Sequence, residues 1–423
     1  MKHQIIGFCL FLMVSVSGSA QQAYSLAQCK KLALENNARM KNARLEVSSA
    51  RQTKEEAFTN FFPSLSASAL GYNANQPLVE ANLGGMPLAL LKNGIVGDIT
   101  VTQPLFAGGQ IVNGNKLAQL GVEVSRFKQE QSEKEVLLTT EVYYWQIISL
   151  NEKLKTLAIV EQLVNSLYKD VDAAVKAGVK NRNDLLQVQL RKNSVASDRL
   201  QLENGLKLSR MLLGQYVGLK ADSLSIEPIS FDEPASPEKL RTDHGAALLT
   251  TPEYQLLAKN VEANRLQQKI TVGKYLPTVG VGASYMYDDL MDKDNTTAMV
   301  FAKVSVPLSD WWGGSHAIKK QKFQTMMAQN EQRNNSDLLL IQMQKLWNDV
   351  EESYKQVKLA EESVVTATEN VRLNTNYYQA GTTTLSDLLD SQLLLQQSRN
   401  QHTDAYTQYL IKQTQYLQAT GRR

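Results

Sequence analysis

Two short stretches limit what this chain can become. Tyr377-Tyr378-Gln379-Ala380-Gly381-Thr382-Thr383-Thr384-Leu385-Ser386-Asp387-Leu388-Leu389-Asp390 interrupts a long polar pattern of helical period, which resumes beyond it. Gly381 supplies the backbone freedom that a tight reversal needs, and the threonines are poor helix formers. The spacing predicts a helix–turn–helix tip. Asp387 and Asp390, three residues apart, then share one face of the outgoing helix. Ala177-Gly178-Val179-Lys180-Asn181-Arg182-Asn183-Asp184-Leu185-Leu186 repeats the motif in register, with Asp184 at the position of Asp387. An A-G-x5-D-L-L tip between long helical patterns, met twice, makes the two halves copies of one plan.

The order of elements is the same in each half. Residues 21–213 form a first repeat, 214–251 a linker with Pro228, Pro234 and Pro237, and 252–423 a second repeat. Leu26 to about Phe58 reads as a helix with Ser25 as N-cap, and Phe61-Phe62-Pro63 ends it. The period then changes to two: Leu65, Ala67 and Ala69 alternate with serines, and Ile99 and Val101 alternate with threonines. These strands make a first hairpin over about 64–106, with a loop from Asn73 to Gly94, and Ala107-Gly108-Gly109 turns the chain. A helix from about Asn113 to Lys176 follows, on the order of 95 Å long at 1.5 Å per residue. Leu157, Val160, Val164, Leu167, Val171 and Ala174 mark an apolar seam along it. The first tip, 177–184, leads into a helix to about Leu213.

In the second half Glu253–Lys274 is helical and Tyr275-Leu276-Pro277 mirrors Phe61-Phe62-Pro63. The second hairpin covers about 278–307: a strand Thr278–Tyr287, an acidic turn from Asp288 to Thr297, and a return strand Ala298–Pro307. Trp311-Trp312-Gly313-Gly314 is expected to close it. A helix from about Ala317 to Gln379 carries Val350, Tyr354, Val357, Val364, Val371 and Tyr378 on one seam. After the second tip, 380–387, the last helix runs from Leu385 to about Leu417.

Composition agrees with long helices rather than a layered enzyme: 10 prolines and 7 % aromatics are few for 423 residues. The 45 Lys+Arg against 42 Asp+Glu leave no electrostatic footprint for nucleic acid. Met1–Ala20, with Lys2, an apolar run and Ser-Gly-Ser-Ala, reads as a secretory signal; the run is too short to span a bilayer. Cys9 leaves with it, so Cys29 has no disulfide partner in the chain. Leu26-Ala27-Gln28-Cys29 is a poor match to a lipidation site, because Gln28 stands where a small residue belongs. His3, His244, His316 and His402 are scattered, and no nucleophile motif or phosphate loop occurs. The reading is of no enzyme, no catalytic residue, no cofactor and no metal.

Strands of roughly ten residues with one apolar face fit a tilted membrane crossing, and hairpins on a soluble sheet are the alternative. Four strands cannot close a membrane barrel, and an open edge in lipid leaves backbone groups unsatisfied at several kcal/mol each. If the strands span a membrane, several chains share one barrel: three chains give twelve strands, two give eight with less room inside. The helices have apolar seams and polar remaining faces, which suits a tube with a wet bore. A periplasmic coiled-coil structural or adaptor protein without a pore is the competing reading.

The duplicated plan, the two A-G-x5-D-L-L tips, the junctions Phe62-Pro63 and Leu276-Pro277, and Gln103-Pro104-Leu105-Phe106-Ala107-Gly108-Gly109 resemble the TolC-like outer-membrane efflux proteins. The resemblance covers essentially the whole mature chain. It implies a mainly α fold with membrane β: a homotrimer with a shared twelve-stranded barrel in the outer membrane lipid of a Gram-negative bacterium and a helical barrel in the periplasm. It implies an exit duct of a tripartite efflux or type I secretion system, served by a periplasmic adaptor protein and an inner-membrane pump of the RND, ABC or MFS class. By the same resemblance Asp387 and Asp390 ring the periplasmic entrance, and Tyr378 and Asp184 belong to its latch. The family's latch arginine falls at Thr383 here, and Lys180 or Arg182 is the candidate substitute. Gly178, Val179, Gly381, Thr382 and Leu385 are the expected adaptor-docking tips.

Overall fold

The structure is a computed structural model that describes residues 23–76, 79–83, 86–90, 93–220, 224–231, 233–290 and 293–422. The signal reading for Met1–Ala20 lies outside them. In chain order the elements begin with β1 (Ala23–Tyr24), α1 (Leu26–Asn36), α2 (Ala38–Thr59) and β2 (Ser64–Asn73). Then come β3 (Val79–Leu83), β4 (Met86–Leu90), β5 (Asn93–Ala107), α3 (Gln110–Lys176) and α4 (Arg182–Val217). After the linker strand β6 (Ser225–Ile226) follow α5 (His244–Leu248), α6 (Pro252–Gly273), β7 (Thr278–Leu290) and β8 (Lys293–Ser305). The chain ends with α7 (Asp310–Gln379) and α8 (Leu385–Ala419). Two compact units form. One takes the described residues of Met1–Asn37, Val136–Ser236 and Glu351–Lys412; the other takes those of Ala38–Glu135, Pro237–Val350 and Gln413–Arg423. Each unit therefore draws on both sequence copies.

The second unit holds a four-stranded antiparallel sheet in the order β2-β5-β7-β8. Its register sorts the side chains. Leu65, Ala67 and Ala69 line up with Val101, Ile99 and Gly97, these with Ala283, Tyr285 and Tyr287, and Ala283 and Tyr285 with Val300 and Ala298. That face is apolar, and Leu65, Ile99, Tyr285, Val300 and Val304 are exposed on it. The other face carries Ser64, Ser66, Ser68, Asp98, Thr100, Thr102 and Ser284, interrupted by Leu70, Val96, Met286, Met299 and Phe301. The Phe301 ring lies where a Cβ on Gly282 would stand, so the bare backbone of one strand makes room for the ring of the next. Among the described residues β2 pairs only with β5 and β8 only with β7, so each leaves one edge open.

Three expectations change here. The stretch from Asn73 to Gly94 is not all loop: β3 and β4 pair as a separate hairpin, and β5 already starts at Asn93. The acidic turn from Asp288 to Thr297 is mostly ladder, with Asp288 opposite Asn295 and Asp289 opposite Asp294. The ladder against β5 carries β7 that far, as far as Leu290 opposite Gly94. Trp311-Trp312-Gly313-Gly314 lies in the first turns of α7 rather than in a hairpin closure. Gly108 and Gly109 do turn the chain, with φ of 61° and 75° in the left-handed region.

In the first unit, α3 and α4 form one helical hairpin, and the described ends of α7 and α8 form another. The seam of α3 is buried at Leu157, Val160, Val164, Leu167 and Val171 against Val188 and Val195 of α4 and Leu385 and Leu388 of α8. A second cluster packs Cys29 and Ala33 of α1 against Val136, Tyr144 and Ile147 of α3 and Leu213 of α4. Ser25 caps α1 in a capping box with Gln28. The single helix expected from Leu26 to Phe58 is broken at Asn37, which is extended at ψ 132°. There Asn36 and Asn37 donate their side-chain amides to the carbonyls of Val217 and Tyr216 at 3.0 and 3.3 Å. Cys29 is 0 % exposed, and burial pushes its thiol up to about 11.

Candidate functional site

The tips are built twice by the same hydrogen bonds. Gly178 donates to Val175 O at 3.0 Å and Val179 to Ala174 O at 2.9 Å; Gly381 donates to Tyr378 O at 3.1 Å and Thr382 to Tyr377 O at 2.9 Å. The two glycines have φ of 74° and 73°. This is the Schellman ending, in which a left-handed glycine lets the next amides satisfy the last helical carbonyls. Gly178, Val179, Gly381 and Thr382 are exposed, Val179 at 78 %. Leu385 is not. It is 5 % exposed and packs with Leu388 against α3 and α4, so it joins the hairpins and offers no docking surface.

The helix starts after the two tips differ. At α8, Thr384 Oγ1 accepts from Asp387 N at 3.2 Å, while Asp387 Oδ2 accepts from Thr384 N at 3.1 Å, Thr384 Oγ1 at 2.6 Å and Thr383 Oγ1 at 2.9 Å. This is a capping box with a carboxylate as its second member. The hydrogen bonds from Thr384, then Thr383, hold the Asp387 carboxyl below its ordinary range. Thr383, where the family's arginine was missed, is thus a cap donor. Asp390 is exposed one turn on. At α4, Asn181 makes no side-chain cap bond, and Asp184 sits half-buried in the first turn. Arg182 is exposed at the first position of α4.

Lys180 joins the tips. Its Nζ stands 3.8 Å from the centroid of the Tyr378 ring, a cation–π contact from the first tip to the second. Tyr378 packs at the border of the cluster that Leu385 and Leu388 close, and its hydroxyl is buried with no hydrogen-bond partner in the chain. Sequence reasoning named Lys180 only as one of two candidates, and it passed over Thr384. The T-x-x-D spacing of Thr384 and Asp387 was there to be read as a cap.

The sheet is the other functional surface. Across its polar face Ser64 Oγ lies 2.6 Å from Thr102 Oγ1 and Thr100 Oγ1 lies 2.9 Å from Ser284 Oγ, while Ser68 donates to Asp98. The hydroxyls satisfy one another and still meet water. The opposite face is mainly apolar, with Gln103 near the strand feet and Tyr287, Thr296, Asp289 and Asp294 toward the far end of the ladder.

The sequence matches the outer membrane efflux protein family over residues 30–219 and 245–422. The outer membrane protein TolC of Salmonella enteritidis is 21 % identical over 434 residues, covering 97 % of this chain and 85 % of that one. Among solved structures, the outer membrane protein VceC of Vibrio cholerae superposes with a TM-score of 0.78 at 15 % identity, over 94 % of this chain and 96 % of VceC. The Campylobacter jejuni CmeC outer membrane channel gives 0.79 at 15 % identity, over 94 % and 85 %. The structural likenesses concern the fold, and the family match speaks to function. The pore-less periplasmic rod is excluded with it, and channels of this family work as trimers with efflux partners. The chain belongs to the outer membrane efflux protein family and is a non-enzymatic efflux channel of the Gram-negative outer membrane.

Proposed function

We propose that three copies of this chain share one twelve-stranded barrel and form the exit duct of a tripartite efflux or type I secretion machine, opened at the tips when an adaptor docks. The sheet carries this reading. It has one apolar face, one hydroxyl-rich face and an open edge on β2 and on β8. In lipid those edges must be paired, and identical copies joined β8 to β2 pair all of them at once. Closure puts the apolar face toward lipid and the hydroxyls toward a wet lumen.

Lys180 takes the place of the arginine missing at Thr383, holding the second tip to the first through the Tyr378 ring. Asp390 and the free oxygen of Asp387 face the entrance and favour cations; Asp184 supports the first tip. Gly178, Val179, Gly381 and Thr382 form the surface that an adaptor reads. An inner-membrane pump of the RND, ABC or MFS class supplies the cargo.

The detergent-extracted particle is weighed and then placed in a planar bilayer. Three chain masses with cation-preferring conductance are expected. A sealed, conducting particle of one chain mass would overturn the shared barrel.

A further inference from the structure

Exposed aromatic rings stand at the feet of both edge strands of the sheet, while Phe106, Tyr285, Tyr287 and Phe323 are exposed elsewhere in the same unit. Phe58, Phe61 and Phe62 stand just before β2, with Phe58 edge-on to the other two at 5.6 and 5.4 Å between centroids. Trp311 and Trp312 stand just after β8, and Trp312 is 84 % exposed. The Trp311 indole donates to Tyr275 O at 2.9 Å, which fixes its ring. Neither group meets the other within one chain's sheet, because β2 and β8 lie at opposite edges.

The internal repeat says what each group would meet. β2 and β7 begin immediately after Pro63 and Pro277, and α2 and α6 end at Thr59 and Gly273, five residues before their strands in both copies. Pro104 in β5 corresponds to Pro307, 203 residues on, the interval that also separates Gly178 from Gly381. The seam between the copies inside one chain is β5 against β7. There Pro104 faces Gly280 and Ala107 faces Thr278. Just past the strand ends Gly108 lies so close to Gly273 that a Cβ on it would strike the Gly273 carbonyl. Carried over to the open edges, the same seam sets Pro307 opposite Ser66 of the partner subunit. It sets Trp311, at the position of Gly108, against Thr59 of the partner subunit.

We infer that Trp311 and Trp312 of one copy lodge among Phe58, Phe61 and Phe62 of the partner subunit, an aromatic clasp at the foot of each seam between copies. The inference rests on the shared barrel proposed above. Inside the chain the foot of the seam is closed by glycine backbone on glycine backbone. Between chains the corresponding residues are tryptophan and threonine, so the backbones stand apart and rings fill the gap. β8 also stops at Ser305, short of Asp310, the position that corresponds to the end of β5 at Ala107. Its ladder ends there because β7 begins at Thr278, the residue opposite Ser305, so residues 306–309 are free of the sheet before Trp311 and Trp312.

Two cysteine pairs test this in the full-length protein, where Cys29 is buried and inert. Val304→Cys with Ala69→Cys probes strand closure, since these positions correspond to the facing pair Val101 and Ala283. Thr59→Cys with Trp311→Cys probes the clasp. After mild oxidation both pairs should give covalent multimers on denaturing gels, and each single variant none. If the strand pair bridges and the clasp pair does not, the clasp is wrong while the shared barrel stands. Quenching of the Trp311 and Trp312 emission by brominated phospholipid would then assign the rings to lipid; Trp145 and Trp347 are buried and stay dark to the quencher. If neither pair bridges, the shared barrel and the clasp fall together. A Trp311→Ala, Trp312→Ala variant gives a readout free of cysteine: its multimer should come apart at a lower temperature than the parent, and unchanged heat resistance counts against the clasp.

Discussion

Removing the charge from Lys180 should loosen the closed end of the duct. Lys180 is half-buried, and its amine sits 3.8 Å from the Tyr378 ring centroid. Cation–π pairs are worth about 0.5–1 kcal/mol when exposed and about 2 kcal/mol when desolvated, so about 1 kcal/mol per chain is reasonable here. If three tips open as one unit, the loss is about 3 kcal/mol, roughly a hundredfold in the closed-to-open ratio. Lys180→Met keeps the aliphatic stem and removes the cation. In planar bilayers it should shorten closed dwells by that order, and Lys180→Arg should not. Tyr378 also packs against the apolar cluster, so its own truncation is ambiguous alone. The cycle Lys180→Met with Tyr378→Leu isolates the pair and should show a coupling of about 1 kcal/mol per chain. Tyr378→Phe keeps the ring and deletes a hydroxyl that has no partner in the chain, so gating should hardly change. Additive effects in the cycle, or a Tyr378→Phe variant as leaky as Tyr378→Leu, would refute the reasoning.

Three further outcomes follow from the same geometry. Thr384→Ala removes the α8 cap and should cost about 1 kcal/mol of local stability, read as faster amide exchange at 385–388 with the trimer intact. Replacing both Asp387 and Asp390 by asparagine should reduce cation preference and weaken block by polyvalent cations; unchanged block would reject a carboxylate ring. Desolvation holds His402, packed beside Phe231 and Tyr406, below the usual histidine value, with Glu361 partly offsetting it. The unfolded chain therefore binds its proton first, and stability should fall as pH drops from about 6.5 through the folded value. A His402→Gln variant should lack that loss in melting curves.

The features legible in the sequence are those set by local chemistry. The prolines at Pro63 and Pro277 end helices and open strands because of what proline does to its own backbone, and both boundaries fall where they should. Alternation from Leu65 and from Val279 identifies the apolar face, and the register keeps that face whole across four strands. The features not legible depend on residues far along the chain. Asn37 breaks a helix of good composition because side-chain amides there reach the end of α4, about 180 positions away. Leu385 looked like part of an exposed turn and is core, because the other hairpin covers it. Lys180 could be nominated but not chosen over Arg182, since only the folded tips decide which cation meets the ring.

The unequal capping of the two tips carries one more consequence. Both turns end their incoming helix with the same glycine motif, yet only α8 begins with a side-chain box; Asn181 offers α4 none. In the first turn of α4 Asp184 N donates to the Asn181 carbonyl at 3.1 Å, but no side chain caps the helix, and such a cap is worth about 1 kcal/mol. The first tip should therefore fray before the second, and Lys180 stands on the fraying side. The Lys180–Tyr378 contact then breaks by loss of order in the first tip while α8 keeps its shape and holds Asp387 and Asp390 in place. Hydrogen exchange on the closed channel distinguishes the two orders: amides at 182–184 should exchange faster than those at 385–387. Equal rates, or a faster second tip, would move the yielding half of the gate to α7 and α8 and leave Lys180 as the fixed post.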